Sequence, residues 1–406
     1  MLARFSLYGF LKNQLYFEPF FAIILLGRGL DFFTIGLLFA IQDVVTNLLE
    51  VPSGWVADTW GRRRSMILSF LAYLASFVLF AFATRLVTLA PAAVCFGVGE
   101  AFRSGTHKAM IFEWLRSRGR LGERTRVYGF TRSWSQVGSA VAVVISAGLA
   151  LWLDELRWLF LITCVPYGLG LVNFLGYPAS VEPDAAALAR PSEGFVGTLR
   201  MVFGRPTLRH LILESCAMQG VYKLLVPYMP VVLALSGLPS AGGLGDVASG
   251  GVPVASVLWI AGVGAGLHLL GAAGSFLAHK VAAPDATGAP RHRRLWLGVF
   301  VVLCLQVAGV HTGQVVPAAL GFIAFAFLYN AWRPAFLTRF DVDTPPDRQA
   351  MVLSVESQAN TAFTALLAPV AGAVVDRWGL IAVFLFGLLL TGVALVLPGG
   401  REKRLT

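Results

Sequence analysis

The chain has 406 residues, of which 57% are hydrophobic and 13% charged, and its formal net charge is +10. A soluble domain carries about 25% charged residues, so this chain lacks the polar groups needed to cover a water-facing surface. Apolar runs recur throughout with no hydrophilic domain between them, which excludes a soluble enzyme or nucleic-acid-binding domain and makes the bilayer its solvent.

Twelve stretches reach the roughly 20 mostly apolar residues that a membrane span needs. They lie near 6–27, 31–56, 64–84, 87–115, 127–152, 156–178, 208–236, 252–278, 295–312, 314–338, 350–375 and 379–398. No cleavable-signal pattern opens the chain, because the first apolar stretch continues through Glu18-Pro19 into a full span. An even count puts both termini on one face. If that face is the inner one, the inner loops hold 22 of the 32 Lys and Arg residues, the outer loops hold 4 and the spans hold 6. The charge is therefore the positive-inside signature, with both termini cytoplasmic, and not a nucleic-acid footprint.

The longest inner connection, 179–207, splits the spans six and six. The expected organisation is an N-terminal bundle at 1–178, a linker at 179–207 and a C-terminal bundle at 208–406. Within the linker, Phe195 to Phe203 reads as a short helix lying in the inner interface. The four cysteines, Cys95, Cys164, Cys216 and Cys304, lie singly in apolar runs and read as buried hydrophobes.

Two internal relations are visible. A shift of 222 residues superposes Arg126 on Arg348, Ser135 on Ser357, Gln136 on Gln358 and Asp154 on Asp376. At another offset, Gly54-Trp-Val-Ala-Asp58-Thr-Trp60-Gly61 echoes Gly372-Ala-Val-Val-Asp376-Arg-Trp378-Gly379. A duplicated six-span unit containing inverted three-span repeats has both relations.

The loop after the second span reads Gly54-x-x-x-Asp58-x-x-Gly61-Arg62-Arg63-Arg64. It resembles the loop between the second and third helices of the major facilitator superfamily of secondary transporters. Gly54, Asp58, Gly61, Arg62 and Arg63 fall on positions which that pattern names. The resemblance implies an all-α fold of twelve transmembrane helices in two pseudo-symmetric six-helix bundles. It also implies a conformational latch in this loop, carried by Asp58, Arg62 and Arg63. Read from the residues alone, Gly54 admits a close neighbour, Gly61 permits a tight turn and Asp58 can accept backbone donors of the next helix. A plain basic turn that fixes topology would not need the glycine–aspartate–glycine spacing.

An ionisable side chain at mid-span costs about 2.5–3.5 kcal/mol on insertion scales. One such group is explained by an internal ion pair; a set of them calls for a polar cavity. Span 4 carries Glu100, Arg103 and His107 at i, i+3 and i+7, one face of a continuous helix, with Lys108 a step round. Span 2 carries Asp43, Asn47 and Glu50 on one face; Glu18 lies beside Pro19 in span 1; and Arg132 and Gln136 lie in span 5. The second half adds Lys223 in span 7, Tyr329, Asn330 and Arg333 in span 10, and Glu356 in span 11. Spans 3, 6, 9 and 12 are nearly free of charge, as lipid-facing helices would be. His268, among glycines in span 8, reads as a helix-contact residue.

The resemblance implies that spans 1, 4, 7 and 10 line a central cavity between the bundles. The expectation is an integral protein of a bacterial inner or plasma membrane, a monomer, carrying a small solute by alternating access. Buried arginines favour an anionic or zwitterionic solute, and protons are the expected coupling ion, with Glu18, Asp43, Glu50, Glu100 and His107 as carriers. A proton-antiporting drug or metabolite exporter, an uncoupled facilitator and a non-transporting membrane sensor stay open as alternatives. The Gly-Pro-x-x-Gly-Gly element of the family's drug antiporters is missing from span 5. No His-Glu-x-x-His, Gly-x-Ser-x-Gly or clustered Cys/His pattern occurs, so no enzyme, metal or cofactor is expected.

Overall fold

In a computed structural model the described residues are 1–178, 181–182, 195–236, 252–282, 291–337, 339–340, 344 and 349–396, and their regular structure is all helical. Ten helices among them are long and apolar enough to cross a membrane, and two shorter apolar helices, Glu18–Gly27 and Leu380–Leu395, stand at the remaining predicted spans. With no water in the hydrocarbon core, only a helix satisfies every backbone donor and acceptor within its own segment.

The N-terminal spans are α1 (Leu2–Leu11) with α2 (Phe21–Gly27), α3 (Phe32–Trp60), α4 (Arg62–Phe82), α5 (Leu86–Arg103) with α6 (Thr106–Arg116), α7 (Arg124–Trp152) and α8 (Trp158–Leu175). A short helix, α9 (Phe195–Gly204), falls where the linker was expected to fold. The C-terminal spans are α10 (Pro206–Leu225) with α11 (Met229–Ser236), α12 (Val254–Ala282), α13 (Arg291–His311), α14 (Val315–Leu337), α15 (Gln349–Trp378) and α16 (Leu380–Val396).

Three of these spans are broken, and each break has a local cause. Between α1 and α2 the chain turns through Lys12–Phe17, and Pro19 supplies no backbone donor to the short 3-10 turn at Glu18–Phe20. Side chains make good part of the loss: Asn13 donates to the Gly9 carbonyl at 3.1 Å and Gln14 to that of Phe10 at 3.3 Å, and the same amides tie the break to α7 through the Ser135 and Gly138 carbonyls at 2.7 and 2.8 Å. Span 7 is interrupted at Val226–Tyr228, where Pro227 again removes a donor. Span 4 is interrupted at Ser104–Gly105, where Gly105 takes φ +71°, a left-handed conformation that glycine adopts without a Cβ penalty.

The chain divides into two compact units. Unit 1 comprises Met1–Leu30, Leu37–Pro191 and Ala248–Val252; unit 2 comprises Asp31–Gly36, Ser192–Val247 and Pro253–Thr406. Unit 1 is held by an aromatic core in which Phe70, Tyr73, Phe77 and Phe160 are fully buried. Tyr167 meets Phe77 edge-on at 4.8 Å between ring centres, a preferred aromatic geometry. In unit 2, α12 and α14 approach through small residues. A Cβ added at Gly274 would lie 2.4 Å from the Phe327 carbonyl oxygen, so only glycine allows that crossing. His268 is exposed on the same helix.

Candidate functional site

Unit 1 holds a closed triangle of polar side chains. Arg103, the last residue of α5, donates from Nη2 to Glu100 Oε2 at 2.5 Å and from Nε to the Tyr73 hydroxyl at 3.1 Å. The Tyr73 hydroxyl donates to Glu100 Oε1 at 2.6 Å. Tyr73 belongs to α4 and is fully buried. It reaches Glu100 because Gly99 leaves room for its ring: a Cβ there would lie 2.9 Å from the ring carbons. The carboxylate and guanidinium are 32% and 23% exposed, so the pair is neutralised and only partly covered by its neighbours.

His107 follows the helix break. The turn at Ser104–Gly105 ends the shared helix face expected for Glu100, Arg103 and His107 and sets the imidazole on α1. Its ring stacks on Tyr8 at 3.8 Å, with Nε2 3.4 Å from the Tyr177 hydroxyl and Phe5 against its edge. Lys12 Nζ lies 5.8 Å from the centre of the same Tyr8 ring, so the span 1 break places a cation beside this group. Lys108 is exposed and points between Phe112 and Tyr128, with Nζ 5.6 Å from each ring.

Asp43, Asn47 and Glu50 share a face of the unbroken α3 and are half-buried, each engaged in an interaction. Glu18, Arg132 and Gln136 are exposed within unit 1, outside the Arg103 triangle.

Unit 2 holds a denser network. Glu356 of α15 is 1% exposed and receives Arg333 of α14 in a bidentate fork, Nη1 to Oε1 at 2.7 Å and Nη2 to Oε2 at 2.9 Å. Oε1 also accepts from Gln219 Nε2 at 2.9 Å, from Asn360 Nδ2 at 2.6 Å and from the Ser215 hydroxyl. Forked charge-assisted bonds of this kind fix geometry as well as supplying energy. The Tyr329 hydroxyl donates to Gln219 Oε1 at 3.4 Å, and the Tyr329 ring lies flat on Tyr222 at 4.0 Å with 7° between the planes. Arg333 itself is 25% exposed. Asn330 lies apart from this group: its amide donates to the Ala326 carbonyl and faces Gly271 of α12. Lys223 is exposed on α10.

Arg103 and Arg333 have similar surroundings. Each lies in the fourth span of its half, and each is held by one glutamate and by a hydroxyl from a neighbouring helix. The sequence signals the charges but not their company. Tyr73 and Ser215 carry no periodic or motif signal, because a tyrosine or a serine in an apolar span reads as ordinary core.

At the loop between α3 and α4, Gly61 takes φ +102° and the chain restarts at once as a helix. The first donors of α4 are capped by Glu182: its carboxylate accepts the N–H of Arg62 at 2.6 Å and that of Arg63 at 2.8 Å. Asp58, expected from the sequence as an acceptor here, is 57% exposed, with Arg62 Nη2 3.9 Å away. Arg62 also reaches the Ala109 carbonyl at 3.1 Å, and Arg63 that of Leu175 at 2.5 Å. Gly54 has open space where a Cβ would go, among the described residues. No group of three or more His, Cys, Asp or Glu residues that could hold a metal occurs among the described residues.

The family model of the Major Facilitator Superfamily matches residues 2–357. A probable 4-methylmuconolactone transporter of Cupriavidus pinatubonensis is 28% identical over 210 residues, covering 50% of this chain and 48% of that protein. A D-galactonate transporter of Escherichia coli is 25% identical over 140 residues, covering 34% and 30%. The chain thus spans half or less of the length of these relatives. The solved structure of nucleoside transporter NupG has the same fold, with TM-score 0.76, 12% identity and coverage of 97% and 96%. With twelve apolar spans, a carboxylate-held arginine in each half and a family match over most of its length, the chain belongs to the Major Facilitator Superfamily of membrane transporters.

Proposed function

We infer that the protein carries a small anionic or zwitterionic solute together with protons, by alternating access. The observation that carries this reading is the Glu100–Arg103–Tyr73 triangle, a neutral pair only partly covered by its neighbours. An arginine presents a planar fork of donors suited to a carboxylate or phosphate. While Glu100 is ionised it occupies that fork. Adding a proton to Glu100 removes the competing charge and leaves Arg103 to a solute anion. Proton and anion therefore favour each other's binding, a reciprocal coupling between two ligands.

The pair in unit 2 plays a different part in this scheme. Glu356 is closed to solvent and its oxygens are taken by donors from four side chains, so it serves to hold Arg333 in place. The stacked Tyr222 and Tyr329 beside it give a flat apolar wall. Both relatives are named for transport of small organic metabolites, which supports a solute of that scale.

The test is transport in liposomes under an imposed pH gradient, with an internal pH dye and a panel of carboxylate, phosphate and neutral solutes. Dye movement that follows one anionic class, and is lost in Glu100→Gln while solute exchange persists, supports the scheme. Solute flux with no proton movement would leave a uniporter. Flux of neutral solutes alone would remove the anion reading.

A further inference from the structure

We propose that the broken first span makes unit 1 select a solute that carries an ammonium group as well as an acid: Glu18 receives the amine, and Lys12 joins Arg103 in receiving the carboxylate. The solute is then an amino acid or a short amino-carboxylate. This choice rests on the Arg103 anion site proposed above and adds the amine to it.

Both residues belong to the break between α1 and α2, and the break is held in place from two helices. The Tyr167 hydroxyl of α8 donates to the Lys12 carbonyl at 2.7 Å. The backbone N–H of Tyr16 donates to Thr163 Oγ1, also on α8, at 3.2 Å, and the Ser146 hydroxyl of α7 donates to the Tyr16 carbonyl. With the Asn13 and Gln14 amides, these bonds fix the unwound backbone. Lys12 opens the turn and Glu18 follows it, so the two side chains are carried on one rigid frame.

Their charges are unmatched. Lys12 Nζ has the Tyr8 ring 5.8 Å away but no ion pair or hydrogen bond among the described residues, and neither has the Glu18 carboxylate. Lys12 is half-buried and Glu18 exposed within unit 1. Both are near the triangle: Lys12 interacts electrostatically with Arg103, Glu100 and Arg132, and Glu18 with Glu100. An unpaired charge inside a span is unfavourable, and here one of each sign flanks a pair that is already neutral.

The sign of these charges decides between solutes. A simple anion would satisfy Lys12 and Arg103 but add negative charge near Glu18. A simple amine would satisfy Glu18 and repel Lys12. A solute bearing both groups answers both ends at once. Its ammonium offers three donors to the Glu18 carboxylate. Its carboxylate takes the planar fork of Arg103, with Lys12 as a point charge beside it.

The test is thermal stabilisation of the detergent-purified protein by paired compounds: α-, β-, γ- and ε-amino acids against the same acids without the amine, with inorganic phosphate alongside. The expected result is that at least one amino acid stabilises at about a tenth or less of the concentration its deaminated partner needs, the scale of one charge-assisted hydrogen bond. In Glu18→Gln the two partners should become equal, and in Glu18→Asp the preference should survive. In Lys12→Met and Arg103→Ala both partners should weaken together. Each comparison is a ratio within one variant, so a general loss of stability does not imitate it. Equal stabilisation by both partners in the parent overturns the amine and, if Arg103→Ala abolishes it, leaves the anion site standing. An amino acid preference undiminished in Glu18→Gln overturns the assignment to Glu18. Stabilisation by none of the amino acids overturns the proposal alone where simple acids or phosphate still stabilise, and the anion reading with it where they do not.

Discussion

Glu182 caps the helix that Arg62 begins: one carboxylate oxygen takes the N–H of Arg62 and the other that of Arg63. A residue 120 positions along the chain thus does what Asp58, four residues before Arg62, is placed in the sequence to do. The cap ties the end of the N-terminal six spans back to the loop between the second and third.

Glu182→Ala is expected to lower stability by about 1 kcal/mol, the usual cost of a lost helix cap. Asp58→Asn, with no short bond to lose in this conformation, should leave stability within about 0.5 kcal/mol of the parent. Thermal unfolding of both variants in detergent, side by side, measures the difference; equal losses would return the cap to Asp58.

Arg103→Ala leaves Glu100 with Tyr73 and removes the fork proposed to take the solute anion. Solute uptake should fall to background, and Arg103→Lys should not restore it, because an ammonium lacks the bidentate geometry. Radiolabelled uptake at saturating solute separates this from a simple rise in KM.

In unit 2 the expected effect of a single truncation is on folding. Glu356→Ala leaves Arg333 without its counter-ion in a buried network, and loss of one partner of such a pair costs about 3–5 kcal/mol. Replacing both together, as Arg333→Met with Glu356→Leu, should recover stability but not transport. Detergent-solubilised yield and melting temperature report the first effect and liposome flux the second.

The two motif glycines should behave in opposite ways. Gly372→Ala drives a methyl group into the Phe32 carbonyl, an overpacking that costs about 1–3 kcal/mol. Gly54→Ala meets nothing among the described residues and gains up to about 1 kcal/mol of helix propensity. Melting temperatures of the two variants should move in opposite directions.

Much of this was legible in the sequence. The twelve apolar runs each became a helix or a pair of helices, because a lipid-exposed backbone has no other way to satisfy its donors. Gly61 and Gly379 were placed by their motifs and both take positive φ. Span 4 was less legible: three side chains at helical spacing pointed to one face, and a single glycine two residues before His107 turned the imidazole toward Tyr8. A glycine within an apolar run is common, and nothing beside Gly105 marks it as a break.

The sequence by itself determined the number of spans, the places where charge enters the membrane and the repeat that makes Asp58 and Asp376 counterparts. Each of these depends on local composition or on spacing along the chain. Only the tertiary structure decided who meets whom: Tyr73 with Glu100, Ser215 and Gln219 with Glu356, Glu182 with the first turn of α4 and Asp376 with the first turn of α3. Those partners lie tens to hundreds of residues apart, and a hydrogen bond acts over about 3 Å. Pairing is therefore set by how helices pack, which no local run of residues encodes.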